Sequence, residues 1–223
     1  MATEQELIAA VRAGDVSQVA GLVTENPALA NAHAESGESA VLLATYYGHR
    51  AIADLLIARG ASLSFFEAAA TGRTERVEKY LRADSALVNT FSPDGFTVLG
   101  LAAFFGHAAL VDLLLANGAQ VNVSSRNPLK VMPLHSSVAA RQLGISRALL
   151  EHGANVNAAQ QDDYTPLHEA AGNGDIKMIE LLFAHGADTT AQLTNGLTPF
   201  DTAMKAGHIA VAELIQKHSL EFF

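Results

Sequence analysis

Four Gly-Ala dipeptides, Gly60-Ala61, Gly118-Ala119, Gly153-Ala154 and Gly186-Ala187, each close an apolar run carrying a Leu-Leu pair. The pairs are Leu55-Leu56, Leu113-Leu114, Leu149-Leu150 and Leu181-Leu182, and the dipeptides lie 58, 35 and 33 residues apart. Self-similarity near 33 residues marks stacked units, each of which buries its apolar face only against its neighbours. The 58-residue gap holds two units, one of them shortened. Such an array offers extended surfaces for binding more readily than a closed site for chemistry.

Laying the chain on itself with a shift of 58 carries Gly14 onto Gly72, Val19 onto Val77, Leu29 onto Leu87, Asn31 onto Asn89 and Gly48-His49 onto Gly106-His107. The first half is therefore a duplicated pair, a short unit followed by a full one. Seven units result, near 3–33, 34–63, 64–91, 92–124, 125–157, 158–190 and 191–220, read as one domain over 1–223. Within a full unit, Ser36-Gly37, Asp94-Gly95 and Asn195-Gly196 are turn dipeptides. Ser39, Thr97, Thr165 and Thr198 stand as helix N-caps, with Pro166 and Pro199 in the first turn, where a missing N–H costs nothing. Small pairs such as Ala102-Ala103 and Ala170-Ala171 let neighbouring helices approach to about 8–10 Å. Gly48, Gly106, Gly174 and Gly207 then end the first helix in a left-handed cap.

The run Thr165-Pro166-Leu167-His168-Glu169-Ala170-Ala171, followed by Gly174, Leu181-Leu182 and Gly186-Ala187-Asp188, resembles an ankyrin repeat almost residue for residue. Units two, four, five and seven match in weaker form. The resemblance implies an all-α solenoid of about seven stacked ankyrin repeats, built of antiparallel helix pairs with hairpin fingers. It extends to the ankyrin arrays of bacterial proteins, which carry short units like Asn26-Pro27-Ala28-Leu29-Ala30-Asn31. Unit five departs from the pattern: Met132 replaces the capping Thr, Arg141 replaces the turn Gly, and two extra residues enlarge the 124–131 loop. An Arg forced towards positive φ costs about 1 kcal/mol, so a remodelled turn is expected there. Units one and three lack the Gly-Ala end, and shortened or absent fingers are expected for them.

Composition excludes several function classes. The chain has no cysteine, which rules out disulfides and thiolate metal sites and fits a reducing, cytoplasmic setting. Met1-Ala-Thr-Glu-Gln-Glu6 is acidic where a signal peptide would be basic, and the apolar stretch near 98–111 is too short to span a bilayer, so neither secretion nor a membrane is expected. Net charge is −9, and Glu151 to Phe223 holds ten acidic residues against Lys177, Lys205 and Lys217. That imbalance repels phosphate backbones and argues against nucleic acid. It either keeps the end repeats soluble or favours a basic protein partner.

Nine histidines raise a metal reading, which the repeat answers. His135 and His168 fill the Thr-Pro-Leu-His slot, where the resemblance implies bonding within the stack, while His152 and His185 occupy equivalent positions in neighbouring units. Equivalent positions stand roughly 8–10 Å apart, whereas zinc ligands converge to about 2 Å from one ion. No metal, cofactor or catalytic residue is expected. Asp162-Asp163, Asp94 and Glu169 are isolated by the stack, and the glycines are too far apart to cradle phosphate.

Aromatic residues carry the functional expectation. Tyr46-Tyr47 and Phe104-Phe105 each precede a turn glycine, at positions that the ankyrin resemblance places on the concave surface. Ala70-Thr71, at the equivalent place in unit three, is expected to form a shallow floor between two aromatic walls, with Phe96 extending the patch. The plainer alternative is that one ring of each pair packs within the stack. Phe65-Phe66 align with Leu7-Ile8 and are expected in the core. Glu35, Ser36, Glu38, Pro93, Asp94, Asp162 and Asp163 are expected at finger tips, tuning specificity. The expected function is non-catalytic binding of another protein by a monomeric module. The rivals are a carrier of a small hydrophobic ligand between the aromatic walls, and a structural piece of a larger chain cut at Phe222-Phe223.

Overall fold

In a computed structural model that describes residues 3–221, a Ser or Thr side chain caps the first helix of most pairs, whereas Met132 makes no such cap. The expectation for Phe222-Phe223 lies outside the described residues. The described residues form fourteen α-helices, an all-α repeat solenoid. By contacts the chain divides into two compact units, Met1–Val77 and Glu78–Phe223. Among the described residues no helix is long and apolar enough to cross a membrane.

The first unit holds α1 (Glu4–Ala13), α2 (Val16–Glu25), α3 (Ala40–Tyr46), α4 (Arg50–Ala58) and α5 (Phe65–Ala70), and it ends within α6 (Thr74–Ala83). Thr3 opens α1 with a capping box: its hydroxyl accepts from the Glu6 N–H at 3.2 Å, and its own N–H donates to the Glu6 carboxylate at 2.9 Å. A 3-10 turn, Pro27–Asn31, follows α2, with Asn26 capping it through the Ala28 N–H at 3.2 Å. Only residues 61–64 link the turn at Gly60 to α5, the shortened finger expected of unit three. Glu67 takes the histidine slot there, accepting from the Ser64 N–H at 2.7 Å and from the Ser39 hydroxyl. Phe65 is buried and Phe66 half-buried, so the expected core pair is only partly enclosed.

The second unit continues with a 3-10 turn (Ser85–Asn89), α7 (Val98–Phe104), α8 (Ala108–Ala116), α9 (Pro133–Ala139) and α10 (Leu143–Glu151). A short 3-10 turn (Gln161–Asp163), α11 (Pro166–Asn173), α12 (Ile176–Ala184), α13 (Pro199–Lys205) and α14 (Ile209–Glu221) complete it. Thr97, Thr165 and Thr198 cap α7, α11 and α13 as expected, and Ser39 caps α3 in the first unit. The small pairs Ala102-Ala103 and Ala170-Ala171 are fully buried. Of the Leu-Leu pairs, Leu56, Leu114, Leu149 and Leu182 have no exposed surface, whereas Leu55 and Leu113 are half-buried. Full burial of each such leucine contributes about 1.5–3 kcal/mol.

One expectation is corrected at Arg141. The turn is not remodelled: Arg141 stays in the left-handed region at φ 56°, and its N–H donates to the Val138 carbonyl at 2.9 Å. Its guanidinium donates to the Asn173 carbonyl at the end of α11, at 2.7 Å. A hydrogen bond of this kind contributes about 1 kcal/mol or more, enough to offset the conformational cost.

The histidine slots are built as the pattern implies. His168 accepts at Nδ1 from the Thr165 hydroxyl at 2.8 Å and donates from Nε2 to the Leu197 carbonyl of the next finger at 3.2 Å. His135 donates to the Ala158 carbonyl at 3.1 Å and accepts from the Met132 N–H at 3.3 Å. Burial pushes the His135 imidazole down to about 4 and lowers His168 as well.

Successive repeats are also joined at their other edge by asparagine side chains, to which the sequence alone assigned no bonding role. Asn89 donates to the Gly118 carbonyl at 3.1 Å and accepts from the Gln120 N–H at 2.9 Å. Asn122 does the same with Gly153 and Asn155, at 2.9 and 2.8 Å, and Asn157 with Gly186 and Asp188, at 3.0 and 2.8 Å. In the first unit Asn31 accepts from the Ser62 N–H at 2.7 Å.

Two outcomes follow from these bonds. Asn122→Ala is expected to lower unfolding free energy by about 1–3 kcal/mol, because it removes two hydrogen bonds between repeats, whereas Asn117→Ala, which loses only a bond within its own helix turn, changes it far less. Denaturant titration of the two variants reads the difference. The histidines add a pH dependence. Since the folded chain favours neutral His135, its contribution is complete above the ordinary value of 6.5 and is lost as pH falls towards about 4. Stability measured at pH 7 and pH 5 should therefore fall less for His135→Gln than for the native chain, by on the order of 1 kcal/mol.

Candidate functional site

The first helix of a full repeat ends where its last residue and its C-cap stand beside the turn glycine. In the first unit these are Tyr46 and Tyr47, 43% and 54% exposed. The Tyr47 ring stacks on His49 at 6.1 Å, and His49 is itself seated on Gly14, where an added Cβ would meet the imidazole at 2.7 Å. That contact and Gly14's φ of 73° leave glycine as the one residue that fits beneath the ring. In the second unit Phe104 is 47% exposed, while Phe105 is half-buried, meeting Phe104 edge-on at 5.2 Å and lying over His107 at 6.5 Å. Three of the four rings are therefore open to solvent and one is partly packed.

The expected floor is corrected. Ala70 is 1% exposed and belongs to the core of its unit, because a methyl group stops short of the surface that a ring at the equivalent position reaches. Thr71 is half-buried, and its hydroxyl is committed to the Glu67 carbonyl at 2.6 Å.

Finger residues sit largely where expected. Glu35 and Ser36 are exposed and Glu38 half-buried, with the Ser36 hydroxyl donating to Glu38. Pro93 and Asp94 are exposed at the tip of a finger closed by the Phe91–Thr97 bridge, and Phe96 is half-buried on it. Asp162 and Asp163 are exposed, both left-handed at φ 61° and 59°. In the second unit the fingers are tied by backbone bonds: Arg126 N–H to the Gly95 carbonyl at 2.8 Å, Gln161 N–H to Leu129 at 3.0 Å, and Thr194 N–H to Asp162 at 3.2 Å. The Arg126 guanidinium covers the Phe91 ring at 4.0 Å, which places Phe91 in the finger stack.

A groove of about 340 Å³ opens between the fingers of repeats five and six and the start of α11. Leu129, Val131 and Tyr164 form apolar walls, with Gln161, Asp162 and Glu169 at the polar side. Leu129 is 49% exposed. Glu169 is half-buried, and its carboxylate accepts from the Asn173 amide at 3.2 Å. Burial holds this carboxyl above its ordinary range, against the opposing Asn173 bond, and burial together with the Glu169 charge pushes the Tyr164 hydroxyl up to about 12. Sequence reading treated Glu169 as an isolated carboxylate and passed over Tyr164. The two extra residues in the 124–131 loop were the available signal, since an enlarged finger must project somewhere.

Helix pairs stacked through side-chain amides, with rings and finger tips left open, define a repeat array of the protein-interaction type. The chain belongs to the ankyrin-repeat family: the family described as ankyrin repeats (3 copies) matches residues 65–160, and the one described as ankyrin repeats (many copies) matches residues 149–203. It is similar to protein phosphatase 1 regulatory subunit 27 of Mus musculus, 28% identical over 113 residues, which is 51% of this chain and 72% of that protein. These matches lend no support to a carrier of a small hydrophobic ligand, and the burial of Ala70 removes the floor on which that reading drew.

Exposure yields a check that separates binding rings from packing rings. Alanine at Tyr46, Tyr47 or Phe104 is expected to change stability by no more than about 0.5 kcal/mol each, whereas Phe65→Ala, at 5% exposure, should cost about 3–5 kcal/mol. Thermal or denaturant unfolding of the four variants measures both.

Proposed function

We propose that this chain is a non-catalytic protein-binding module whose anchors are the exposed rings at the ends of its first helices. The observation that carries the reading is the exposure of Tyr46, Tyr47 and Phe104 at equivalent places in two repeats. Large rings with few rotatable bonds give much contact area for little ordering entropy, and they dominate interface energetics. Phe105 and Phe96 add partial contact. Glu35, Ser36, Glu38, Pro93, Asp94, Asp162 and Asp163 tune specificity from the finger tips, and Thr71 lines the edge. The module acts as a monomer, and its pre-formed scaffold loses little ordering entropy on association. The similar mouse protein is by name a regulatory subunit, a role that supports binding over catalysis. The absence of cysteine suits a reducing compartment such as the cytoplasm.

The test replaces Tyr46, Tyr47, Phe104 and Phe105 by alanine together and compares quantitative capture from the source cell with that of the native chain. A partner enriched by the native chain should fall at least about tenfold, equivalent to a loss of about 1.4 kcal/mol or more, while the circular dichroism of the variant stays native. Undiminished capture by a folded variant removes the rings from the interface.

A further inference from the structure

The second unit carries a different kind of site, and what it takes is set by its chemistry. We infer that the groove between the fingers of repeats five and six and α11 holds an arginine side chain of a basic partner segment, with an adjacent apolar side chain against Leu129 and Val131. The inference rests on the protein-binding reading above but uses none of its aromatic anchors.

Three observations favour a cation over other occupants. First, Glu169 is a half-buried carboxylate that, among the described residues, accepts a hydrogen bond from a neutral amide, Asn173, and pairs with no Lys or Arg. The cations on nearby segments do not answer this charge: Lys130 is exposed and does not line the groove, and Arg141 spends its guanidinium on the Asn173 carbonyl. Second, Asp162 adds a second carboxylate to the same lining, so an anionic occupant would be repelled and a purely apolar one would desolvate Glu169 without compensation. Third, Tyr164 stands in the same wall, and an aromatic face beside a carboxylate suits a guanidinium, which stacks on rings while donating two parallel hydrogen bonds.

The groove also has room for more than the charged head. Its volume of about 340 Å³ lies within the range of roughly 300–1,000 Å³ common for ligand sites. Leu129 is held out by the enlarged finger, yet its carbonyl is fixed by the Gln161 N–H at 3.0 Å, so the apolar wall is set before any partner arrives. The surroundings reinforce the choice, since Glu151 to Phe223 carries a net −7 from ten acidic residues and three lysines. That field raises the encounter rate of basic segments.

The experiment titrates the full chain, labelled with ¹⁵N, with a capped hexapeptide containing Leu-Arg, and in parallel with the same peptide carrying citrulline, the neutral isostere of arginine. The arginine peptide should shift the amides of Leu129, Tyr164, Glu169 and Asn173, and the citrulline peptide should bind at least about tenfold more weakly. Glu169→Gln, which keeps an acceptor for Asn173, should weaken the arginine peptide by a similar factor and leave thermal stability near native. Equal binding of the two peptides, shifts confined to other surfaces, or no shifts at about 5 mM peptide would each overturn the inference. A Glu-for-Arg peptide that binds as well as the arginine peptide would do the same. Because the Glu169 variant leaves Tyr46, Tyr47 and Phe104 intact, partner capture that survives in it but not in the aromatic variant sinks only the groove. Loss in neither variant sinks the broader reading.

Discussion

A single side-chain amide, repeated, fixes the distance between one helix pair and the next. Each Gly-Ala terminus leaves a glycine carbonyl and, two residues on, a backbone N–H without a helical partner. At Gly118, Gly153 and Gly186 an asparagine from the preceding repeat satisfies both, donating to the first and accepting from the second, and at Gly60 Asn31 accepts from the Ser62 N–H. Aspartate could only accept, and glutamine would add a methylene to a bite already near 3 Å at both ends. The spacing of the dipeptides is thus a consequence of pairing. Asn89 reaches Gly118 across 29 residues and Asn157 reaches Gly186 across 29, but Asn122 reaches Gly153 across 31. The two residues added to unit five leave the ladder intact.

Those residues must go where the ladder does not constrain the chain, and that is the finger. There backbone bonds such as Arg126 to Gly95 and Gln161 to Leu129 join neighbouring units, alongside side-chain bonds from Asn127 to the Asp94 carbonyl and from His168 to the Leu197 carbonyl, so the remaining side chains are free to vary without breaking them. The Ser125 hydroxyl holds the base of the enlarged loop, accepting from the Val131 N–H at 2.8 Å, and Lys130 turns it at φ 53°. Leu129 is pushed outward as a result. A rigid edge of asparagines and a permissive edge of fingers divide the repeat between stability and recognition.

How much of this could be read from the residues depended on how local each cause was. The caps at Ser39, Thr97, Thr165 and Thr198 act over three residues, so sequence alone placed them. The histidine slot was legible by resemblance for the same reason. Arg141 was misread because its left-handed turn is stabilised from another repeat, through the carbonyl of Asn173, 32 residues away. Ala70 was misread because equivalence of position was taken for equivalence of exposure, and exposure depends on how far a side chain reaches. The groove was missed because its walls come from three segments, around 129–131, 160–164 and 169, that only the stacking of fingers brings together. The asparagines were visible as Asn31 and Asn89 under the 58-residue shift, yet a sequence does not show which carbonyl a side chain will meet.

The acidic C-terminal third can now be divided by burial rather than counted as one charge. Glu180, Asp188 and Glu213 are exposed, so water and salt screen them, and at long range they contribute only to the negative field of this third. Glu169 is different, since it is half-buried beside Tyr164 with burial holding its carboxyl above the ordinary range. A carboxylate that is already partly desolvated loses less on meeting a cation than one that must first shed its water. Removing an exposed carboxylate therefore changes how fast a basic segment arrives, while removing Glu169 changes how long it stays.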